Sequence, residues 1–452
     1  MAHLKYSALL ALSLSLFAHA APAAPLSSPT LTGTAPGPAP TVPYASDDPN
    51  VEIYPPNIND PGYVPEPIRG KLGSNILAQH NIPLALENPT LLAPPTTDHG
   101  SIPNAHWPFS LSHNRLQTGG WARQQNVNEM PFAKNLAGVD MRLEAGAIRE
   151  LHWHSTAEWA YVLDGTMQIT TVTPEGQNYI GTIHPGDLWY FPPGQPHSLQ
   201  ATADNPQGAE FLLVFDNGTF NEGATFLLTD WLAHVPKEVI AKNFQTSIAA
   251  FERIPDQELY IFPSNPPPDD QQPPTSPYGT TPEPYTYEFS KVPVTQVPGG
   301  TFKIADSTTF KVSKTIAVAE FTVEPGALRE LHWHPTFDEW TYFLEGQARM
   351  TLFAAESNAR TFDYQAGDIG YVPASYGHYI ENTGNTTLKF LEIFKTGQRR
   401  MIDRFQDVSL SQWLALTPPE LVKAHLGISD ETVQHLSKTK PMVVAPYTPA
   451  EN

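Results

Sequence analysis

The 452-residue chain contains no cysteine. Disulfides and thiolate chemistry are therefore excluded. Positive charge is scarce as well: 26 lysines and arginines face 46 aspartates and glutamates, for a net charge of −20 and a sequence pI of about 5.1. That balance argues against nucleic acid and anionic membranes as partners. Long apolar runs are absent except near the start, where Ala8–Phe17 follows Lys5 and precedes Ala18-His19-Ala20. This stretch is too short to span a bilayer. Its basic start and small-x-small end read as a signal peptide over residues 1–20, so a secreted, extracellular protein is expected. Two N-glycosylation sequons, Asn217-Gly-Thr219 and Asn385-Thr-Thr387, fit that location.

What is present is a repeat. Gly146-Ala-Ile-Arg149-Glu-Leu-His152-Trp-His154-Ser-Thr-Ala-Glu158 returns as Gly326-Ala-Leu-Arg329-Glu-Leu-His332-Trp-His334-Pro-Thr-Phe-Asp-Glu339. A further histidine follows each copy, His197 after Gly186-Asp-Leu-Trp-Tyr-Phe-Pro and His378 after Gly367-Asp-Ile-Gly-Tyr-Val-Pro. Members of the second set lie 180 or 181 positions after those of the first, and one extra residue in the second turn explains the drift. On a strand, alternate side chains share a face, so His152 and His154 point together and Trp153 points away. A short turn then returns Glu158 beside them. Three imidazoles and a carboxylate form a nitrogen/oxygen site for a divalent metal, and an octahedral ion would keep two positions open. A single His-x-His is equally compatible with hydrogen-bonded core histidines, but the intact second set favours two metal sites. The donor set also suits Fe, Co, Ni or Zn.

Short β runs separated by Gly, Pro, Asn and Asp dominate, among them Val139–Leu143, Trp159–Leu163, Met167–Val172, Leu188–Phe191 and Phe211–Phe215. They predict an all-β sandwich or barrel. Thr229-Asp-Trp-Leu-Ala-His and Ser411-Gln-Trp-Leu-Ala-Leu predict a small helical appendage after each barrel, the first capped at Thr229 or Asp230. The organisation expected is a signal peptide (1–20), a Pro-rich arm (21–70), a first barrel (71–260), a stiff Pro-rich linker (261–284) and a second barrel (285–452).

The two motifs resemble the cupin superfamily, and their duplication resembles a bicupin of tandem jelly-roll (double-stranded β-helix) barrels. Four segments bring the chain closer to the oxalate decarboxylase family: Leu151-His-Trp-His-Ser-Thr-Ala-Glu-Trp-Ala-Tyr, Gly186-Asp-Leu-Trp-Tyr-Phe-Pro, Thr229-Asp-Trp-Leu-Ala-His and Ala305-Asp-Ser-Thr-Thr-Phe-Lys-Val-Ser-Lys-Thr-Ile-Ala. The resemblance spans about residues 70–440. It implies a manganese-dependent conversion of oxalate to formate and carbon dioxide, with two Mn²⁺ per chain, dioxygen as co-catalyst and a homo-oligomer, trimer or hexamer. It also implies that Glu222, in the lid Thr219-Phe-Asn-Glu-Gly-Ala-Thr225, is the proton donor. The lid departs from the bacterial pattern around Glu222, and Gly223 predicts a more flexible segment.

The chemistry agrees. Oxalate is a small anion rich in hard oxygen donors, which suits Mn²⁺. Arg149 and its counterpart Arg329 sit where a guanidinium can hold the carboxylate the metal does not, unless each is simply a salt-bridge partner. The second half has no lid glutamate in its basic segment Lys395-Thr-Gly-Gln-Arg-Arg-Met-Ile-Asp-Arg; its candidate acid is Glu392, facing the cavity or paired with Arg329. Catalysis is therefore assigned to the first site. Two other functions stay open on the sequence: an oxalate oxidase yielding hydrogen peroxide, and a non-catalytic storage or binding bicupin.

Overall fold

The computed structural model describes residues 81, 84, 87–92, 94–396 and 406–447. The expected signal peptide and Pro-rich arm lie outside these residues, as does most of the basic segment after Lys395. No helix among the described residues is long and apolar enough to cross a membrane.

The architecture is all-β. Each half is a jelly roll made of one seven-stranded and one six-stranded antiparallel sheet. Met167–Val172 and Leu188–Phe191 form as expected, while the other three strands extend to Ala137–Leu143, Glu158–Asp164 and Ala209–Phe215. The last of these explains how the halves join. On Ala-Glu-Phe-Leu-Leu-Val-Phe, Phe211, Leu213 and Phe215 fill the first barrel, whereas Leu212 and Val214 face the second. A strand buried on both faces reads as a continuous apolar run rather than an alternation. Leu388–Lys395 is its counterpart: Phe390 and Phe394 enter the second barrel, and Leu391 and Ile393 face the first. Trp159 and Trp340, both fully buried, lie in this shared layer. Each buried aromatic side chain there contributes about 2–3 kcal/mol of transfer free energy.

The halves also exchange strands. His106–Pro108, which precedes the first barrel, pairs with Asp368–Val372 of the second. Thr286–Tyr287, which precedes the second, pairs with Leu188–Phe191 of the first. Ile261–Phe262, at the start of the expected linker, pairs with Ile148–Trp153. The helical appendages are present as Leu228–Ala233 with Lys237–Phe244, and Leu410–Ala415 with Pro419–Leu426. The first helix is not capped by Thr229 or Asp230: its N-cap is Leu227, and the Thr229 amide and hydroxyl donate to buried Glu150 at 2.7 and 2.6 Å.

One asymmetry lies between the barrels. Glu320 is answered by Lys303 at 3.3 Å, Lys389 at 3.6 Å and the Tyr161 hydroxyl at 3.0 Å. In the matching place of the other half, Asp140 stands opposite Arg123, and Glu210 occupies the position of Lys389. Arg142, Asp164 and Tyr342 complete the surroundings. Burial first, then Glu210, pushes the Asp140 carboxyl up to about 8, with Arg123 opposing. An unfolded aspartate titrates near 3.8. The folded state therefore holds an extra proton between these values, and its contribution to stability is complete below pH ~4 and gone above ~8. Thermal melting from pH 5 to 9 should show a smaller decline for Glu210→Lys, which restores the other half's pairing, than for the parent. Parallel declines would refute this origin.

Candidate active site and metal centres

The four residues of each motif converge. His152, His154, Glu158 and His197 place their ligating atoms within 4.8 Å of one another, and His332, His334, Glu339 and His378 do the same. All eight are buried. The register produces this directly. His197 lies opposite His152 on the neighbouring strand, His154 follows on the same face, and Glu158 opens the strand of the facing sheet. His378 lies opposite His332 in the same way.

Hydrogen bonds prepare the rings. Nδ1 of His152, His154 and His197 lies 2.6, 2.8 and 2.8 Å from the carbonyls of Glu150, Thr156 and Gln195. Nδ1 of His332, His334 and His378 lies 2.7, 2.8 and 3.0 Å from the carbonyls of Glu330, Gln406 and Tyr376. A carbonyl only accepts, so each Nδ1 carries the hydrogen and each Nε2 presents its lone pair to the centre. His197 Nε2 faces Glu158 Oε2, itself only an acceptor, at 3.3 Å, and the Nε2 atoms of His332 and His334 face each other at 3.2 Å. Lone pairs so arranged in a dry interior need a cation, and the donor set fits a divalent one.

Electrostatics point the same way. Burial, then Arg149 and the other imidazoles, holds His152 well below the ordinary histidine range. Burial, then Arg329 and the neighbouring imidazoles, does the same for His332. Burial disfavours charge on Glu158, but His197 and His154 outweigh it and hold the carboxyl well below the usual range. Trp189 Nε1 fixes its other oxygen at 2.9 Å.

Arg149 reaches the same interior through a backbone irregularity. Residues three apart on a regular strand point to opposite faces. Here Leu199 opposes Arg149 while His197 opposes His152, so the Ile148–Trp153 strand carries one residue more than its partner between the two pairs. This bulge turns Arg149 inward. The same shift lies between Arg329 and His332.

The environments of the two arginines then differ. Arg149 Nη2 donates to Glu222 Oε1 at 2.7 Å and to Thr225 Oγ1 at 3.2 Å. Glu222 is buried, in a short 3₁₀ turn over Glu222–Ala224 whose cap is Asn221. The Gln124 side chain accepts from the Glu222 amide at 3.0 Å, and Asn126 donates to the Phe220 carbonyl at 2.9 Å. A Cβ at Gly223 would meet only Asn221 at 3.4 Å and Arg115 at 3.9 Å, so no close contact demands glycine there. On the outer side of Glu222 lies a cleft of about 160 Å³ lined by His113, Arg115, Gln124 and Tyr260.

Arg329 is instead held by two carboxylates, Glu392 at 3.1 Å and Asp407, both inside the protein. Glu392 takes the second of the two arrangements that the sequence left open. It pairs with Arg329, and it lies on the barrel side of its strand near Glu339 and His334. Burial first pushes its carboxyl up to about 8, Arg329 opposing, and its Oε2 has no hydrogen-bond partner. Sequence reasoning missed Asp407, which is 78 positions from Arg329. It also missed Tyr260, whose hydroxyl donates to Glu222 Oε1 at 2.9 Å. Both sequon asparagines, Asn217 and Asn385, are exposed.

Comparison with known proteins agrees with this geometry. The Cupin family model matches residues 111–250 and 288–434. Oxalate decarboxylase OxdC of Bacillus subtilis is 52% identical over 384 residues, 84% of this chain and 97% of its own length. A probable oxalate decarboxylase of Arthroderma benhamiae is 42% identical over 374 residues, 81% of this chain and 89% of its own length. A solved structure of the Bacillus subtilis oxalate decarboxylase, studied for its Mn(II) centres, superposes with a TM-score of 0.80 at 51% identity, covering 85% of this chain and all of that one. The chain belongs to the oxalate decarboxylase family of two-domain cupins.

Proposed function

We propose that this protein is a secreted, manganese-dependent oxalate decarboxylase that forms formate and carbon dioxide at its first barrel, with Glu222 as proton donor. The observation that carries the reading is the buried pair of Arg149 and Glu222 in the barrel that holds His152, His154, Glu158 and His197. When bound, manganese would supply a Lewis-acidic anchor for one end of oxalate and, with dioxygen, the one-electron chemistry that weakens the carbon–carbon bond.

The chain's own residues account for the remainder. Arg149 offers a fixed guanidinium to the carboxylate that the metal does not hold. Glu222, as carboxylate, takes the proton of hydrogen-oxalate and returns it to the carbon that becomes formate. From the oxalate dianion the net reaction consumes one proton, which favours acidic conditions. Thr225 and Gln124 steady the lid around Glu222. The second barrel is less suited to an anion, because two carboxylates already surround Arg329. Secretion is supported by Lys5, Ala8–Phe17 and Ala18-His19-Ala20. Amino-terminal sequencing of the mature protein should begin at Ala21, and an intact Met1 would refute cleavage.

Product partition tests the activity. Manganese-loaded protein given oxalate under air should yield nearly one formate per oxalate consumed, with little peroxide. Peroxide as the main product would make it an oxidase, and no turnover by fully metallated protein would make it a binding or storage bicupin.

A further inference from the structure

Tyr260 has no role in the motifs, yet the fold treats it unusually. Its φ is +57°, a left-handed conformation that costs a non-glycine residue about 1–2 kcal/mol. Such conformations persist where the surroundings over-determine them, and they gather at functional sites. The surroundings here do so. The Tyr260 amide donates to Glu150 Oε2 at 2.8 Å, and its carbonyl accepts from the Glu150 amide at 2.9 Å and from Arg149 Nη1 at 3.5 Å. Its ring lies between two guanidiniums, with Arg115 3.5 Å and Arg149 4.3 Å from the centroid. Arg115 is in turn paired with Glu258 at the cleft. The residue is 1% exposed, so the ring is packed inside the protein.

We infer that Tyr260 positions Glu222 for proton transfer: its hydroxyl and Arg149 together grip one carboxylate oxygen, Oε1, and leave Oε2 to carry the proton. Both bonds to the carboxyl fall on Oε1, at 2.9 Å from the phenol and 2.7 Å from the guanidinium. An oxygen that accepts two strong donors is the poorer base, so a proton arriving from substrate goes to its partner. Burial and the adjacent Glu222 keep the phenol itself protonated at working pH, so it remains a donor throughout. Tyr260 touches neither substrate nor reacting carbon in this scheme and acts only through Glu222. The inference rests on Glu222 being the proton donor.

The experiment compares manganese-loaded full-length protein with Tyr260→Phe, Glu222→Gln and the double variant. Formate, peroxide, KM, manganese content and melting temperature are measured for each. Phenylalanine keeps the ring between the guanidiniums and removes only the hydroxyl. Tyr260→Phe should retain manganese and a KM within about twofold, lose about 10-fold in kcat for formate, and divert a larger share of turnover to peroxide. The double variant should match Glu222→Gln. An unchanged kcat and product ratio in Tyr260→Phe would overturn the inference, as would a loss that tracks melting temperature or manganese with the product ratio unaltered. If Glu222→Gln itself makes formate normally, the proton-donor reading fails first, and that outcome is distinct from either of these.

Discussion

Replacing Glu222 by glutamine should lower formate production by about 100- to 1000-fold, the scale lost when a positioned acid–base group is removed. Residual turnover should appear as peroxide. Glutamine is the informative substitution because its carbonyl oxygen still accepts from Arg149 and Tyr260, which now share Oε1. Alanine would instead strand a buried guanidinium, and breaking one partner of a buried ion pair costs about 3–5 kcal/mol. A collapsed lid would then be indistinguishable from lost chemistry. Manganese content and melting temperature of the glutamine variant should stay at the parent's values while formate falls. Formate production within a few-fold of the parent would place the proton elsewhere.

The second large effect separates the two barrels. His197→Ala should lose one of two manganese ions per chain and at least about 1000-fold in activity, since a buried metal site loses one of only four protein ligands. His378→Ala should lose the other ion and keep more than about a tenth of the activity. Both variants should melt lower, because an ion that binds only the folded state stabilises it, by about 2.7 kcal/mol at one hundred times its dissociation constant. Metal analysis with oxalate turnover on the same samples decides the matter. Equal inactivation by the two substitutions would remove the distinction between a catalytic and a supporting site.

Much of this was legible in the sequence, and the parts that were not share a cause. Alternation along a strand put His152 and His154 on one face, and the repeat at 180 to 181 positions exposed the second set. Those signals are local or periodic. Arg149 was expected at the site, but the bulge that turns it inward leaves no mark in a run as ordinary as Ile-Arg-Glu-Leu-His-Trp. Tyr260 bonds Glu222 across 38 positions, and Asp407 reaches Arg329 across 78. Neither residue type nor spacing announces such contacts. The misplaced helix start has the same origin. Thr229 looks like a cap, but Glu150, 79 positions earlier, claims its hydroxyl and amide. Local capping preference yields when a buried carboxylate needs donors.

The exchange of His106–Pro108 and Thr286–Tyr287 between the halves bears on how this chain is made. During synthesis the first of these strands emerges long before its partner, since Asp368–Val372 comes some 260 residues later. Until then the nascent first barrel exposes Leu212, Val214 and Trp159, and before residue 287 is made it also lacks Thr286–Tyr287 along Leu188–Phe191. Pairings of such sequence separation close slowly and leave apolar surface uncovered meanwhile. The duplication therefore does not yield two independent folding units. Neither half is covered without the other, so a ribosome stalled within the second repeat releases a chain whose second barrel lacks strands and whose first still bares its apolar face.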